Sequence, residues 1–280
     1  MTGPTIFLVV AGVLGLLVGS FLNVVAYRVP AKISLLRESR CPYCDASIKP
    51  WHNVPVLGWV VLRGKCANCM APISARYPIV EAVTGVAFAV VAWWGFAVYA
   101  QSVTASGPVL RAWAIGLIVV AFLYFAAISI VLTLIDLDTH RLPNSIVLPS
   151  YFLAGSLFTV AAWLTGDWGA LARAAIGMAG MYLLYFLLRA VRPGGMGGGD
   201  VKLAGVIGIY LGWLGWGALA VGTFAAFLYG GVFGIALMLL RRAGRKTAIP
   251  FGPWMILGAW TGVFAGEAAG KWYVDLFVGA

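Results

Sequence analysis

Two aspartates at the edges of apolar runs are the residues best placed to do chemistry in this chain. Asp136 closes the run from Ala112 to Ile135, in the stretch Leu134-Ile135-Asp136-Leu137-Asp138. Asp200 closes the run Gly194-Gly195-Met196-Gly197-Gly198-Gly199 and opens another apolar segment. The chain has only nine acidic residues. An ionisable group in or beside a bilayer is costly to hold, so its presence there points to function. Two carboxylates that can meet suggest acid/base chemistry with one shared proton.

Asp138 competes with Asp136 for the first position. Residues at i and i+2 on a helix point to nearly opposite sides, so a continuing helix lets only one face a partner. Asp136 abuts the apolar run and is the deeper candidate, with Asp138 solvated beside Arg141. His140 has no companion ligand nearby, and Pro143 marks a break before the next span. The glycine run reads as a linker, as an anion-cradling loop, or as a surface for close backbone approach. The second reading lacks the strand before it and the Lys-Ser/Thr after it. The third fits best: Gly197, Gly198 and Gly199 would let an extended substrate segment lie against the chain. Lys202 then reaches the headgroups.

All four cysteines fall in one loop, as Cys41-Pro42-Tyr43-Cys44 and Cys66-Ala67-Asn68-Cys69. Two C-x2-C pairs separated by twenty-one residues match a four-thiolate zinc site. Two disulfides are the alternative, and a reducing compartment argues against them. A site closed by four cysteines has no open position for water and is structural. The loop is too small to build a core alone, and metal binding would supply the missing folding free energy.

These groups need elements to position them. The chain has 280 residues, 62% hydrophobic and only 10% charged, where a soluble domain carries about a quarter charged residues. That composition predicts an all-α polytopic membrane protein. Apolar runs of spanning length fall at about 5–27, 79–99, 112–135, 145–164, 171–191, 201–216, 218–240 and 250–268. The sixth is short and rich in glycine. The expected organisation is a first transmembrane helix over 1–27, a small cytoplasmic cysteine domain over 28–78 and a transmembrane bundle over 79–280. No internal repeat is apparent. The first run lacks a basic flank before it, and Arg28, Lys32, Arg37 and Arg40 follow it, so it reads as a retained helix rather than a cleaved signal.

With eight spans and the N-terminus outside, all of the nineteen basic residues except Arg111, Arg173 and Lys271 fall on the inside. The net charge of +10 is then the positive-inside bias, and a nucleic-acid partner is not needed to explain it. The run Arg241-Arg242-Ala243-Gly244-Arg245-Lys246 serves as a topological anchor. Both candidate aspartates come out at the cytoplasmic edge.

Together these residues resemble the type IV prepilin peptidases, the bifunctional leader peptidase and N-methyltransferase family. Gly19-Ser20-Phe21-Leu22-Asn23-Val24-Val25 and Tyr27-Arg28-Val29-Pro30 are similar to the family's N-terminal signature. Trp51-His52-Asn53-Val54-Pro55-Val56 and Leu62-Arg63-Gly64-Lys65 stand between the cysteine pairs. Ile73-Ser74-Ala75-Arg76-Tyr77-Pro78-Ile79-Val80-Glu81 fits the entry to the second helix. Gly197-Gly198-Gly199-Asp200, followed by Val201-Lys202-Leu203, matches the glycine-x-glycine-aspartate motif.

The resemblance implies a membrane aspartic protease of the bacterial inner membrane, with Asp136 and Asp200 as the catalytic pair. It implies removal of the basic leader from type IV prepilins and type II secretion pseudopilins. It further implies methylation of the new N-terminal residue by S-adenosylmethionine, through residues the sequence does not single out. The oligomeric state stays open. The competing class is a transporter or proton-coupled channel using intramembrane carboxylates. That class wants acidic groups near the midplane and inverted halves, and neither is visible.

Overall fold

The computed structural model describes residues 3–102, 107–192, 196–240 and 250–279. The basic run at 241–246, and Gly194 and Gly195 of the glycine run, lie outside the described residues. Among the described residues there are eight long helices and no strand: α1 (Gly3–Arg28), α3 (Arg76–Ser102), α4 (Pro108–Thr139), α5 (Asn144–Thr165), α6 (Trp168–Val191), α7 (Gly198–Leu214), α8 (Trp216–Leu239) and α9 (Gly252–Val278). A 3₁₀ turn (Pro50–Asn53) and the short α2 (Leu57–Val61) lie between α1 and α3. Each expected apolar run becomes one long helix. Six of them, α1, α3, α4, α5, α6 and α8, are long and apolar enough to cross a membrane.

The helix ends follow local chemistry. Pro108 opens α4 and Pro253 sits in the first turn of α9, where a missing N–H is harmless. Asp167 caps α6 by accepting from the Ala170 amide at 2.9 Å. His140 ends α4 in the left-handed conformation, φ 53°. Two boundaries differ from the hydropathy reading. Helix α4 runs past Ile135 to Thr139, and α7 starts at Gly198, so Asp136 lies inside α4 and Asp200 in the first turn of α7. Capping and backbone hydrogen bonds set those ends, and hydropathy does not register them.

The chain divides into two compact units, Met1–Ser102 with Phe122–Leu134, and Val103–Ala121 with Ile135–Ala280. In the first, α1 lies on α3. A Cβ on Gly15 would meet the Thr84 carbonyl at 2.7 Å, and one on Gly19 would meet the Glu81 Cα at 2.8 Å. Small residues let two backbones touch where apolar burial alone does not drive association. In the second, α7 packs against α5, α6, α8 and α9. Val201 and residues 203–213 are buried, so this 17-residue helix is enclosed by protein. The break between α7 and α8 falls at Gly215. There the Glu267 carboxylate stands where a side chain would go and accepts the Ala218 amide at 2.9 Å.

Candidate active site and metal centre

The two cysteine pairs are built on one repeated backbone pattern, which the sequence reading did not detect. The Cys41 amide donates to Ala46 and the Asp45 amide to Cys41, at 3.0 and 2.9 Å. The Cys66 amide donates to Ala71 and the Met70 amide to Cys66, at 2.8 and 3.0 Å. Asp45 and Met70 both take left-handed conformations, φ 54° and 61°. Bridges Arg40–Ser47 and Lys65–Pro72 close the two turns. The signal was there, as Arg-Cys-x-x-Cys-Asp-Ala-Ser against Lys-Cys-x-x-Cys-Met-Ala-Pro, but it is too short to register as a repeat.

The four sulfurs lie within 4.8 Å of one another, and Cys41 Sγ is 3.8 Å from Cys69 Sγ. Sulfurs at the corners of a tetrahedron with Zn–S bonds of about 2.3 Å are roughly 3.8 Å apart. The donor set therefore fits a zinc ion. Hydrogen bonds from the Cys69 and Asn68 amides pull the Cys66 thiol down to about 6. The Ala71 amide favours the Cys69 thiolate, but burial and the neighbouring cysteines push that thiol up to about 12. Four sulfurs this close cannot all carry charge without a cation among them.

Side-chain hydrogen bonds tie this region to α1 and α3 and close it on itself. Arg28, 8% exposed, donates from its guanidinium to the carbonyls of Ser34, Leu35, Arg37 and Glu38. The Glu81 carboxylate accepts the Val56 amide at 2.7 Å. The Trp59 indole donates to the Ile73 carbonyl at 3.0 Å.

The aspartates lie in the second unit. Asp136 is 4% exposed, whereas Asp138 is exposed, because α4 continues through both. Asp136 Oδ2 accepts the Gly252 amide at 3.0 Å, at the first turn of α9. Asp200 is half-buried in the first turn of α7, and its Oδ2 accepts the Gly197 amide at 2.9 Å. Each carboxylate thus meets the positive end of a helix dipole.

The elements that carry the two aspartates meet at one side chain. Leu142 spans the gap between their supports: a Cβ on Gly199 would meet its Cβ at 2.8 Å, and one on Gly252 its Cδ2 at 3.5 Å. The Arg189 guanidinium covers Gly198. The start of α7 is held to α5 by Lys202 Nζ donating to Asn144 at 2.9 Å and by the Tyr151 hydroxyl donating to the Lys202 carbonyl at 2.6 Å.

Gly252, Leu142 and Arg189 were not singled out from the sequence. The available signal was Phe251-Gly252-Pro253 before an apolar run, a helix start with free amides. Nothing local says that Asp136 is the group that takes one of them.

Two family models match the chain: the Bacterial Peptidase A24 N-terminal domain over residues 13–95 and the Type IV leader peptidase family over residues 123–237. The chain is 33% identical to the prepilin leader peptidase/N-methyltransferase of Stutzerimonas stutzeri, over 95% of this chain and 93% of the relative. Identity to the protein of the same name from Neisseria gonorrhoeae is 38%, over 89% and 87%. For that of Pseudomonas aeruginosa it is 31%, over 97% and 95%. No solved structure matches the chain.

Proposed function

Because the chain belongs to the type IV leader peptidase family, we propose that it is a multi-pass inner-membrane enzyme that cleaves prepilin leaders and methylates the new N-terminus. The substrates are type IV prepilins and type II secretion pseudopilins. Asp136 and Asp200 do the cleavage at the cytoplasmic face, with the N-terminus outside, as the basic loops require. The observation that carries the reading is the pair of carboxylates, each held by a backbone amide at a helix start, with Leu142 packed against Gly199 and Gly252 beside them.

One carboxylate, ionised, takes a proton from water as the water oxygen attacks the scissile carbonyl carbon. The other, protonated, donates to the carbonyl oxygen. The tetrahedral intermediate then collapses, the C–N bond breaks, and the leaving nitrogen takes a proton from the pair. A single bound Gly252 or Gly197 amide leaves each carboxylate one oxygen for this work. The glycines at 197–199 provide the backbone against which the extended substrate lies.

Cys41, Cys44, Cys66 and Cys69 hold a structural zinc ion that folds the 28–78 segment. The methyl donor is S-adenosylmethionine. This half rests on the relatives' names, not on a cofactor cradle recognisable among the described residues.

The deciding experiment is cleavage of a prepilin by the purified full-length protein in detergent, beside its Asp136→Asn and Asp200→Asn variants. The wild type should release the leader and neither variant should. Equal cleavage by a variant overturns the two-aspartate reading. No cleavage by an intact, zinc-loaded wild type would favour the transporter alternative.

A further inference from the structure

One of the buried polar groups left over by this account lies on α6. Tyr185, on α6, is 0% exposed, and its hydroxyl finds no hydrogen-bond partner among the described residues. A buried hydroxyl without a partner is unfavourable and uncommon in a native structure. Phenylalanine would fill the same volume without that penalty. The hydroxyl's presence therefore needs a purpose that the resting protein does not display.

Its surroundings say what that purpose is. The Tyr185 ring packs on Phe227 of α8 at 5.4 Å and on Phe251 at 6.3 Å, and those two rings pack on each other at 5.6 Å. Phe251 immediately precedes Gly252, whose amide holds Asp136. One turn along α6, Arg189 covers Gly198 of the glycine run. Tyr185 thus stands beside the support of one aspartate and one turn from the arginine that covers the glycine run before the other, its ring held by aromatic neighbours.

On the basis of the peptidase reading above, we infer that the Tyr185 hydroxyl, without a partner among the described residues, is a catalytic hydrogen-bond donor for the peptide substrate, engaged on the scissile carbonyl oxygen during cleavage. As water adds, the carbonyl π electrons move to that oxygen and its demand for donors rises. The O–H of Tyr185 meets that demand and keeps its own proton; the protons that move belong to water and the aspartate pair. A donor preorganised in a water-poor site stabilises developing charge more in the transition state than in the ground state. A tyrosine is suited to this, because its hydroxyl stays protonated through the working pH range.

The test uses the full-length protein in detergent with a prepilin substrate and compares wild type, Tyr185→Phe and Asp136→Asn. Tyr185→Phe should lower kcat for cleavage on the order of 10²-fold, with KM within about twofold, as loss of a transition-state contact requires. Methylation of an already cleaved pilin should be unchanged. Its unfolding temperature should equal or exceed that of the wild type, because an unpartnered hydroxyl contributes nothing to the resting fold. Wild-type kcat in Tyr185→Phe overturns the inference, as does a change confined to KM. A parallel loss of methylation and thermal stability also overturns it, since the hydroxyl would then be structural. Asp136→Asn keeps the two readings apart: if it is inactive while Tyr185→Phe is normal, the two-aspartate mechanism stands and only the role of Tyr185 falls.

Discussion

The Gly252 amide donates to Asp136 Oδ2 at 3.0 Å, joining the end of α4 to the start of α9 across 116 positions of chain. The bond is buried, so it orients the carboxylate as well as satisfying it. It consumes one oxygen of Asp136 and leaves the other to face the site. Asp200 is treated the same way by Gly197, but from within its own helix start. The two carboxylates are thus fixed by different means, one by tertiary packing and one by a local turn.

Replacing either carboxylate by its amide keeps size and removes the titratable proton. Asp136→Asn and Asp200→Asn should each lower prepilin cleavage by about 10⁴-fold or more, and the double variant should be no worse than either single, because the pair acts as a unit. Asp138→Asn, on the exposed side of α4, should stay within about threefold of wild type. Membrane yield and zinc content serve as folding controls. Loss in Asp138→Asn with retention in Asp136→Asn would exchange the roles of the two residues.

A methyl group at Gly252 would stand 2.7 Å from Asp136 Oδ2. Gly252→Ala should therefore displace the carboxylate and lower cleavage by about 10²-fold, the effect of misplacing a reacting group by an ångström. Gly180→Ala, on α6 with nothing within 4 Å of the new carbon, should leave activity unchanged and stabilise by roughly 0.5–1 kcal/mol. Cleavage rates and thermal melts of the two variants, measured side by side, separate the effect of place from the effect of substitution.

Metal analysis should find about one zinc per chain, the stoichiometry of a closed four-thiolate site. Serine at Cys41 or Cys69 should lose the ion and expose the 28–78 segment to proteolysis. Methylation should suffer more than cleavage, as the family resemblance ties the cysteine domain to methyl transfer. Full zinc content in a variant lacking all four cysteines would refute the assignment of the site.

Val56 holds a positive φ of 60° with ψ −51°, a combination that a β-branched residue rarely takes, and Glu81 accepts its amide at 2.7 Å. Val56→Gly should relieve the strain and stabilise the region by about 1–2 kcal/mol. Glu81→Ala should leave the buried amide unsatisfied, at about 1–3 kcal/mol. Hydrogen exchange at residues 54–64 reads both effects, slower in the first variant and faster in the second. The opposite order would show that Glu81 does not restrain the turn.

The sequence by itself determined the class of the protein. Hydropathy adds along the chain and needs no partner, so eight apolar runs were legible and became eight helices. The cysteine spacing was legible for a similar reason: each knuckle is local, and two of them suffice for one ion. The opposed directions of Asp136 and Asp138 followed from helical geometry once the helix continued. Only the tertiary structure decided what touches the aspartates. Gly252 reaches Asp136 across 116 positions, and the Tyr185 ring meets Phe227 of α8 and Phe251 only once the helices pack. The glycines of α7 read as a weak span, yet they mark a helix enclosed by four others. A residue's type carries its own hydrophobicity and conformational range, but a close approach belongs to two backbones at once and exists only after they pack.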